Sequence, residues 1–141
     1  MKRVFTCLLQ LILAANFLAG AAIAAENMTP KDAWAAMQAG KLVLVDVRQQ
    51  SEWKSTGVAP GAITLTLGSD GFYDLLEGIV AANPGKTLGL ICAAGGRSTM
   101  AAREMEARGL NTVVDIKEGM RGGMMSSGWI GDGLPVVPWK P

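Results

Sequence analysis

Residues 90–98 read Leu90-Ile91-Cys92-Ala93-Ala94-Gly95-Gly96-Arg97-Ser98, and the passage from apolar to glycine-rich to helix-forming within them decides the fold. Thr87 to Ile91 is a short β-prone run that leads straight into Cys92. The stretch to Arg97 is built of small residues, and Ser98 to Arg108 then reads as a helix closed by Gly109. Strand, loop and helix in that order put a cysteine at the C-terminal end of a buried strand, where open α/β sheets hold their ligands. Such a loop can curl so that successive backbone N–H groups point inward, an anion-binding nest around the sulfur. The positive end of the following helix adds to it, and both favour the thiolate, the nucleophilic form of the side chain. One cysteine near glycines also fits a buried and inert thiol, because free cysteine is among the most buried residue types. The rest of the sequence separates the two readings.

Working outward, Leu42 to Val45 is a continuous apolar run ending at Asp46, the pattern of a strand buried on both faces. Before it, Thr29-Pro30-Lys31-Asp32 has an N-cap, a proline at the first helical position and an acid against the helix dipole. That helix is predicted to reach about Gln38 and stop at Gly40. Ser51 to Lys54 reads as a helical turn, Pro60-Gly61 as a turn, and Ala62 to Leu67 as a strand. Phe72, Leu75, Leu76, Ile79 and Val80 recur at helical spacing, and Asn83-Pro84-Gly85 ends that helix. Beyond the opening stretch, Thr112 to Ile116 is a further strand, and Gly119 to Gly133 holds a short helix between turns. Strands and helices alternate throughout, which predicts an α/β domain with a central parallel sheet of about five strands and helices on both faces.

The composition narrows the chemistry. The chain has 141 residues, a net charge of +1 and no histidine. No Cys–His dyad, Ser-His-Asp triad or imidazole metal site can be built within it. Its near-neutral charge excludes a strongly basic nucleic-acid binder, and its 50% apolar content excludes a disordered tail. Two cysteines, Cys7 and Cys92, make no disulfide framework.

Residues 1–24 are of another kind. Lys2 and Arg3 precede a mostly apolar run from Val4 to Ala19, and Ala22-Ile23-Ala24 fits an A-x-A cleavage site. These features predict a secretory signal peptide cut after Ala24, a domain spanning 25–141, and a periplasmic product with no stable membrane insertion. The competing reading is an uncleaved anchor, since Val4 to Ala25 is about long enough to span a bilayer. Cleavage removes Cys7 and two of 13 basic residues, leaving 11 bases against 12 acids and Cys92 as the one thiol.

Four segments of the chain, in order, resemble the rhodanese family, the sulfurtransferases of the rhodanese/dual-specificity-phosphatase superfamily. Leu44-Val45-Asp46-Val47-Arg48 with Glu52-Trp53 looks like the family's D-V-R…E-aromatic segment. Gly57-Val58-Ala59-Pro60-Gly61-Ala62 resembles its G-H-I-P-G-A turn, with Val58 in place of the histidine. Cys92 to Ser98 is similar to the active-site loop C-R-x-G-x-R-S, and Gly122-Gly123-Met124 with Gly133-Leu134-Pro135-Val136 resembles the closing segment. The resemblance implies that Cys92 takes a sulfane sulfur as a persulfide from a thiosulfate-like or polysulfide donor. It then hands that sulfur to a thiol, cyanide or a protein acceptor, with no cofactor or metal. Ala93, Ala94, Gly95, Gly96 and Ser98 would form the persulfide-binding loop, the amides of Ala94, Gly95 and Gly96 its cradle. Arg97 would close the loop and favour the anion.

Only four residues separate Cys92 from Arg97, whereas phosphatase and arsenate-reductase relatives resemble C-x5-R; the shorter loop suits sulfur. Ala93 stands where many members carry a basic residue, and Trp129 lies six residues past Gly123, further than the usual spacing. The alternative is a non-catalytic or redox-sensing module of the same type. Asp46, Arg48 and Glu52 are read as structural support, with Arg48 and Glu52 at i, i+4 as an ion pair. Met120, Met124 and Met125 read as gap-filling core in preference to a copper(I) site, and Trp34, Trp53, Trp129 and Trp139 as anchors.

Overall fold

The computed structural model describes residues 27–141. The leader, Cys7 and the cleavage point after Ala24 lie outside them. In chain order the elements are β1 (Asn27–Met28), α1 (Pro30–Gln38), β2 (Leu42–Asp46), α2 (Gln50–Thr56), β3 (Ile63–Thr64) and α3 (Phe72–Ala82). They continue with β4 (Thr87–Ile91), α4 (Gly96–Ala107), β5 (Val113–Ile116) and α5 (Gly128–Gly131). The five strands form one parallel sheet in the order β1-β5-β4-β2-β3. Both α1 and β4 fall on the expected residues, and the Thr29 side chain accepts a hydrogen bond from the Asp32 N–H, as the N-cap reading requires.

Strand periodicity sorts the core into two layers. Val45, Val47, Leu88, Leu90, Cys92 and Val113 face one side, where Phe72 and Leu76 of α3 and Ala101, Ala102 and Met105 of α4 cover them. Leu42, Leu44, Ile91, Val114 and Ile116 face the other, against Ala33 of α1 and Trp129 of α5. Gly89 lies mid-strand because a Cβ there would come within 3.0 Å of Ile116 and 3.2 Å of Leu42.

The sheet order places the site. From β2 the chain builds outward to β3, and from β4 it builds to β5 in the opposite direction. The loops leaving the C-terminal ends of β2 and β4 therefore diverge, and the crevice between them is the switch point at which such sheets bind. Asp46 ends β2 in register with Ile91, one residue before Cys92.

Several boundaries differ from the sequence reading: α2 spans Gln50–Thr56 where Ser51 to Lys54 is expected, α4 begins at Gly96 and not Ser98, and β5 at Val113 and not Thr112. β1 has no counterpart in the sequence pattern: two residues carry no periodic signal, and pairing with Asp115 and Ile116 alone makes them a strand. β3 is shorter than Ala62 to Leu67, although the Leu65 and Leu67 N–H groups still donate to Asp46 and Val47 at 3.1 Å. Leu75, counted in the apolar stripe of α3, is 51% exposed, so the stripe is narrower than its periodicity. The longer spacing to Trp129 is absorbed by a turn in which Gly123 and Ser126 pair, leaving Trp129 fully buried with its indole N–H on the Pro135 carbonyl at 2.9 Å.

Candidate active site

Cys92 is the first residue after the central strand and is buried. Its carbonyl accepts the Met120 N–H and that of Ala93 accepts the Arg121 N–H, both at 2.8 Å, so the segment after β5 pins the loop from behind. Gly119, at φ 63°, is required there: a Cβ would sit 2.5 Å from the Cys92 carbonyl oxygen. Gly95 turns the chain into α4 at φ 96°, the left-handed region, and its N–H donates to Cys92 Sγ at 3.2 Å. The Ser98 hydroxyl stands 3.3 Å from the same sulfur. Of the three amides expected to cradle it, Gly95 alone meets the sulfur among the described residues; Ala94 and Gly96 make no such bond, and the second donor is the Ser98 hydroxyl. Ala93 is half-buried in this loop.

Arg97, in the first turn of α4, is held by Glu52 of α2 through two parallel bonds of 2.8 Å. This corrects the expected Arg48–Glu52 pair. Arg48 lies between the end of β2 and the start of α2, so its spacing to Glu52 is not helical. Its guanidinium turns inward to the Asp46 carboxylate at 2.7 Å, to Thr56 Oγ1 at 2.7 Å and to the Gly57 carbonyl at 2.8 Å, with both partners of the ion pair fully buried. Glu52 also accepts the Gln49 N–H at 2.9 Å, closing a capping box at the start of α2. The bond from Arg97, helped by that from Gln49 and opposed by burial, lowers the Glu52 carboxyl from 4.5 to about 2. Arg97 is raised above its usual value, chiefly by its bond to Glu52, with Cys92 and Asp46 adding Coulombic attraction.

Asp46 and Arg48 thus lock the end of β2 to the end of α2, while Glu52 fixes the arginine nearest the sulfur loop. The sequence pairs Glu52 with Arg48 instead; the pairing with Arg97 spans 45 residues, which no local spacing reveals. The methionines do not gather: Met120 is buried in the core while Met124 and Met125 are fully exposed. Trp34 packs edge-on against Trp129 and Trp53 against Trp139, the anchoring expected of them. Val58, at the family's histidine position, exchanges backbone bonds of 2.9 and 3.0 Å with Val137 and so ties down the C-terminal segment.

A parallel α/β sheet with a buried cysteine on the loop after its central strand defines the class, and the chain belongs to the rhodanese-like domain family, whose model matches residues 29–125. Rv0390 from M. tuberculosis is a structural neighbour at TM-score 0.67 and 23% identity, covering 80% of this chain and 97% of that one. A protein of unknown function and possible tyrosine phosphatase from Rhodopseudomonas palustris CGA009 follows at 0.60 and 27%, covering 80% and 85%. A thiosulfate sulfurtransferase from Pseudomonas aeruginosa matches at 0.64 and 19%, covering 82% of this chain and 21% of that chain. A comparison with curated proteins finds no match.

Proposed function

We propose that this protein is a sulfurtransferase in which Cys92 carries sulfane sulfur as a persulfide. The observation that carries the reading is the pair of donors, the Gly95 N–H and the Ser98 hydroxyl, at 3.2 and 3.3 Å from one buried sulfur. Donors fixed before reaction stabilise sulfur charge without reorganisation. The thiolate attacks the outer sulfur of thiosulfate or a polysulfide; the S–S bond breaks, and sulfite or the shortened polysulfide leaves with the electron pair. Cyanide or a thiol then attacks the terminal sulfur and returns the Cys92 thiolate, so no external oxidant is consumed. A protein thiol is a further candidate acceptor. The possible phosphatase among the neighbours raises oxyanion chemistry, but four residues between Cys92 and Arg97 favour sulfur over a tetrahedral oxyanion.

Incubating the reduced protein with a sulfane donor is expected to add one sulfur at Cys92, reversibly with cyanide, and never to Cys92→Ser. Intact-protein mass spectrometry reads it. An unchanged mass across several donors, with the thiol still titratable, would mean a non-catalytic or redox-sensing module instead.

The reading includes export: the leader is cut after Ala24 and residues 25–141 act in the periplasm. N-terminal sequencing of the exported protein should begin at Ala25; recovery of an intact Met1 form only in membranes overturns this.

A further inference from the structure

The donor nearest the sulfur sits on the least constrained kind of residue. Gly95, at φ 96° and ψ −24°, has access to far more backbone conformations than any other residue type. A single N–H···S contact does not hold such a residue in place. Its carbonyl, in contrast, accepts the Thr99 N–H at 3.0 Å and stands 2.7 Å from the Thr99 hydroxyl, while the Ser98 hydroxyl, whose one proton goes to the sulfur, lies 3.1 Å away. Thr99 Oγ1 also stands 2.7 Å from Asp115 Oδ2, so its one proton is shared between the carbonyl and the carboxyl.

Asp115 lies on β5, in register with Leu90 of β4, and is 3% exposed. It occupies a strand position of the same parity as Val113, on the layer that α4 covers, where the pattern calls for an apolar side chain. Its Oδ1 is buried with no hydrogen-bond partner among the described residues. A buried carboxyl left half-satisfied works against stability, and a threonine hydroxyl bonded back along its own helix adds little. Neither residue is explained by packing; both are explained by the Gly95 carbonyl between them and the sulfur.

We infer that Thr99 and Asp115 are positioning residues of the sulfur loop, the Thr99 hydroxyl tying the Gly95 carbonyl to β5 and thereby holding the Gly95 N–H on Cys92. Neither touches the sulfur. The effect on turnover rests on the sulfurtransferase reading; the effect on the thiol itself does not.

The test uses the reduced full-length chain and follows two rates. The first is alkylation of Cys92 by iodoacetamide, read on the Cys92 peptide so that Cys7 does not interfere. The second is transfer of sulfur from thiosulfate to cyanide. Thr99→Val, which keeps shape and removes the hydroxyl, is expected to slow alkylation and kcat by about tenfold, the worth of one hydrogen bond. KM is expected to stay within about twofold, because the donor-binding groups are untouched, and Thr99→Ser to restore both rates. Asp115→Asn, whose amide N–H can donate to Thr99 Oγ1 and leave the hydroxyl proton to the Gly95 carbonyl, should stay close to wild type, while Asp115→Ala should follow Thr99→Val. Wild-type alkylation and kcat in Thr99→Val overturn the inference, whatever its melting temperature. If Thr99→Val does not fold, Thr99→Ala against Thr99→Ser gives the same reading: equal rates overturn it. Slowed alkylation with no sulfur transfer in any form, wild type included, supports the positioning role and rejects the sulfurtransferase reading.

Discussion

Two arginine–carboxylate pairs flank the same crevice and differ in one respect, access to water. Asp46 and Arg48 are both sealed, and the guanidinium spends its donors on the end of β2 and the end of α2. Glu52 and Arg97 are 24% and 34% exposed and join α2 to the first turn of α4. Taking charges out of water is costly, so a sealed pair earns its place only when every hydrogen-bonding site is met and something must be held in register. Here that something is α2, which carries Glu52 to Arg97. The sealed pair is a mount and the half-exposed pair is the part mounted. Identical chemistry thus serves structure in one place and the sulfur loop in the other.

The sharpest way to break this contrast is to remove each arginine in turn. Arg48→Ala leaves a buried carboxylate without its cation and is expected to destabilise the domain by roughly 3–5 kcal/mol. Urea denaturation measures it. A fold that survives Arg48→Ala with full stability would show that α2 is held by packing alone. Arg97→Ala should leave circular dichroism near that of the wild type and cost only the roughly 1 kcal/mol of the half-exposed pair, while slowing sulfur transfer by about 2–4 kcal/mol of barrier. Unchanged turnover would show that the Gly95 N–H and Ser98 hydroxyl suffice without it.

The contrast also marks where the sequence stops being readable. The order of strands and helices, the continuous runs of β2 and β4, and the cysteine at the end of β4 follow from local pattern, since burial on both faces leaves no polar alternation. The loop's glycines announce the turn into α4. What local pattern missed is held by distant partners. β1 exists through β5, Glu52 finds Arg97 across 45 residues, and Arg48 rejects the residue four ahead because no helix joins them. Glu104 and Arg108, at the same spacing as Arg48 and Glu52 but on one helix, do pair, at 3.1 Å. Spacing rules are statements about an element, and they fail where the element has not begun.

The smallest expected effect separates the two pairs by pH and salt. Glu52 has its carboxyl lowered from 4.5 to about 2, first by the bond from Arg97. Below pH 4.5 the unfolded chain takes up the proton at this position while the folded chain still refuses it. The pair's contribution is therefore complete above pH 4.5 and is lost as pH falls toward about 2. Water reaches both side chains and screens them, so that contribution is about 1 kcal/mol. Glu52→Gln is expected to be less stable than wild type by that amount at neutral pH, with the difference closing toward pH 2. Urea denaturation of both forms along the pH series reads it. Molar salt, which shortens the screening length to about 3 Å, should shrink the same difference at neutral pH. The cost of Arg48→Ala should be left nearly as it was, because ions do not reach a sealed pair. A Glu52→Gln difference indifferent to both acid and salt would mean that the pair holds by shape and not by charge, and the contrast between the two arginines would reduce to burial alone.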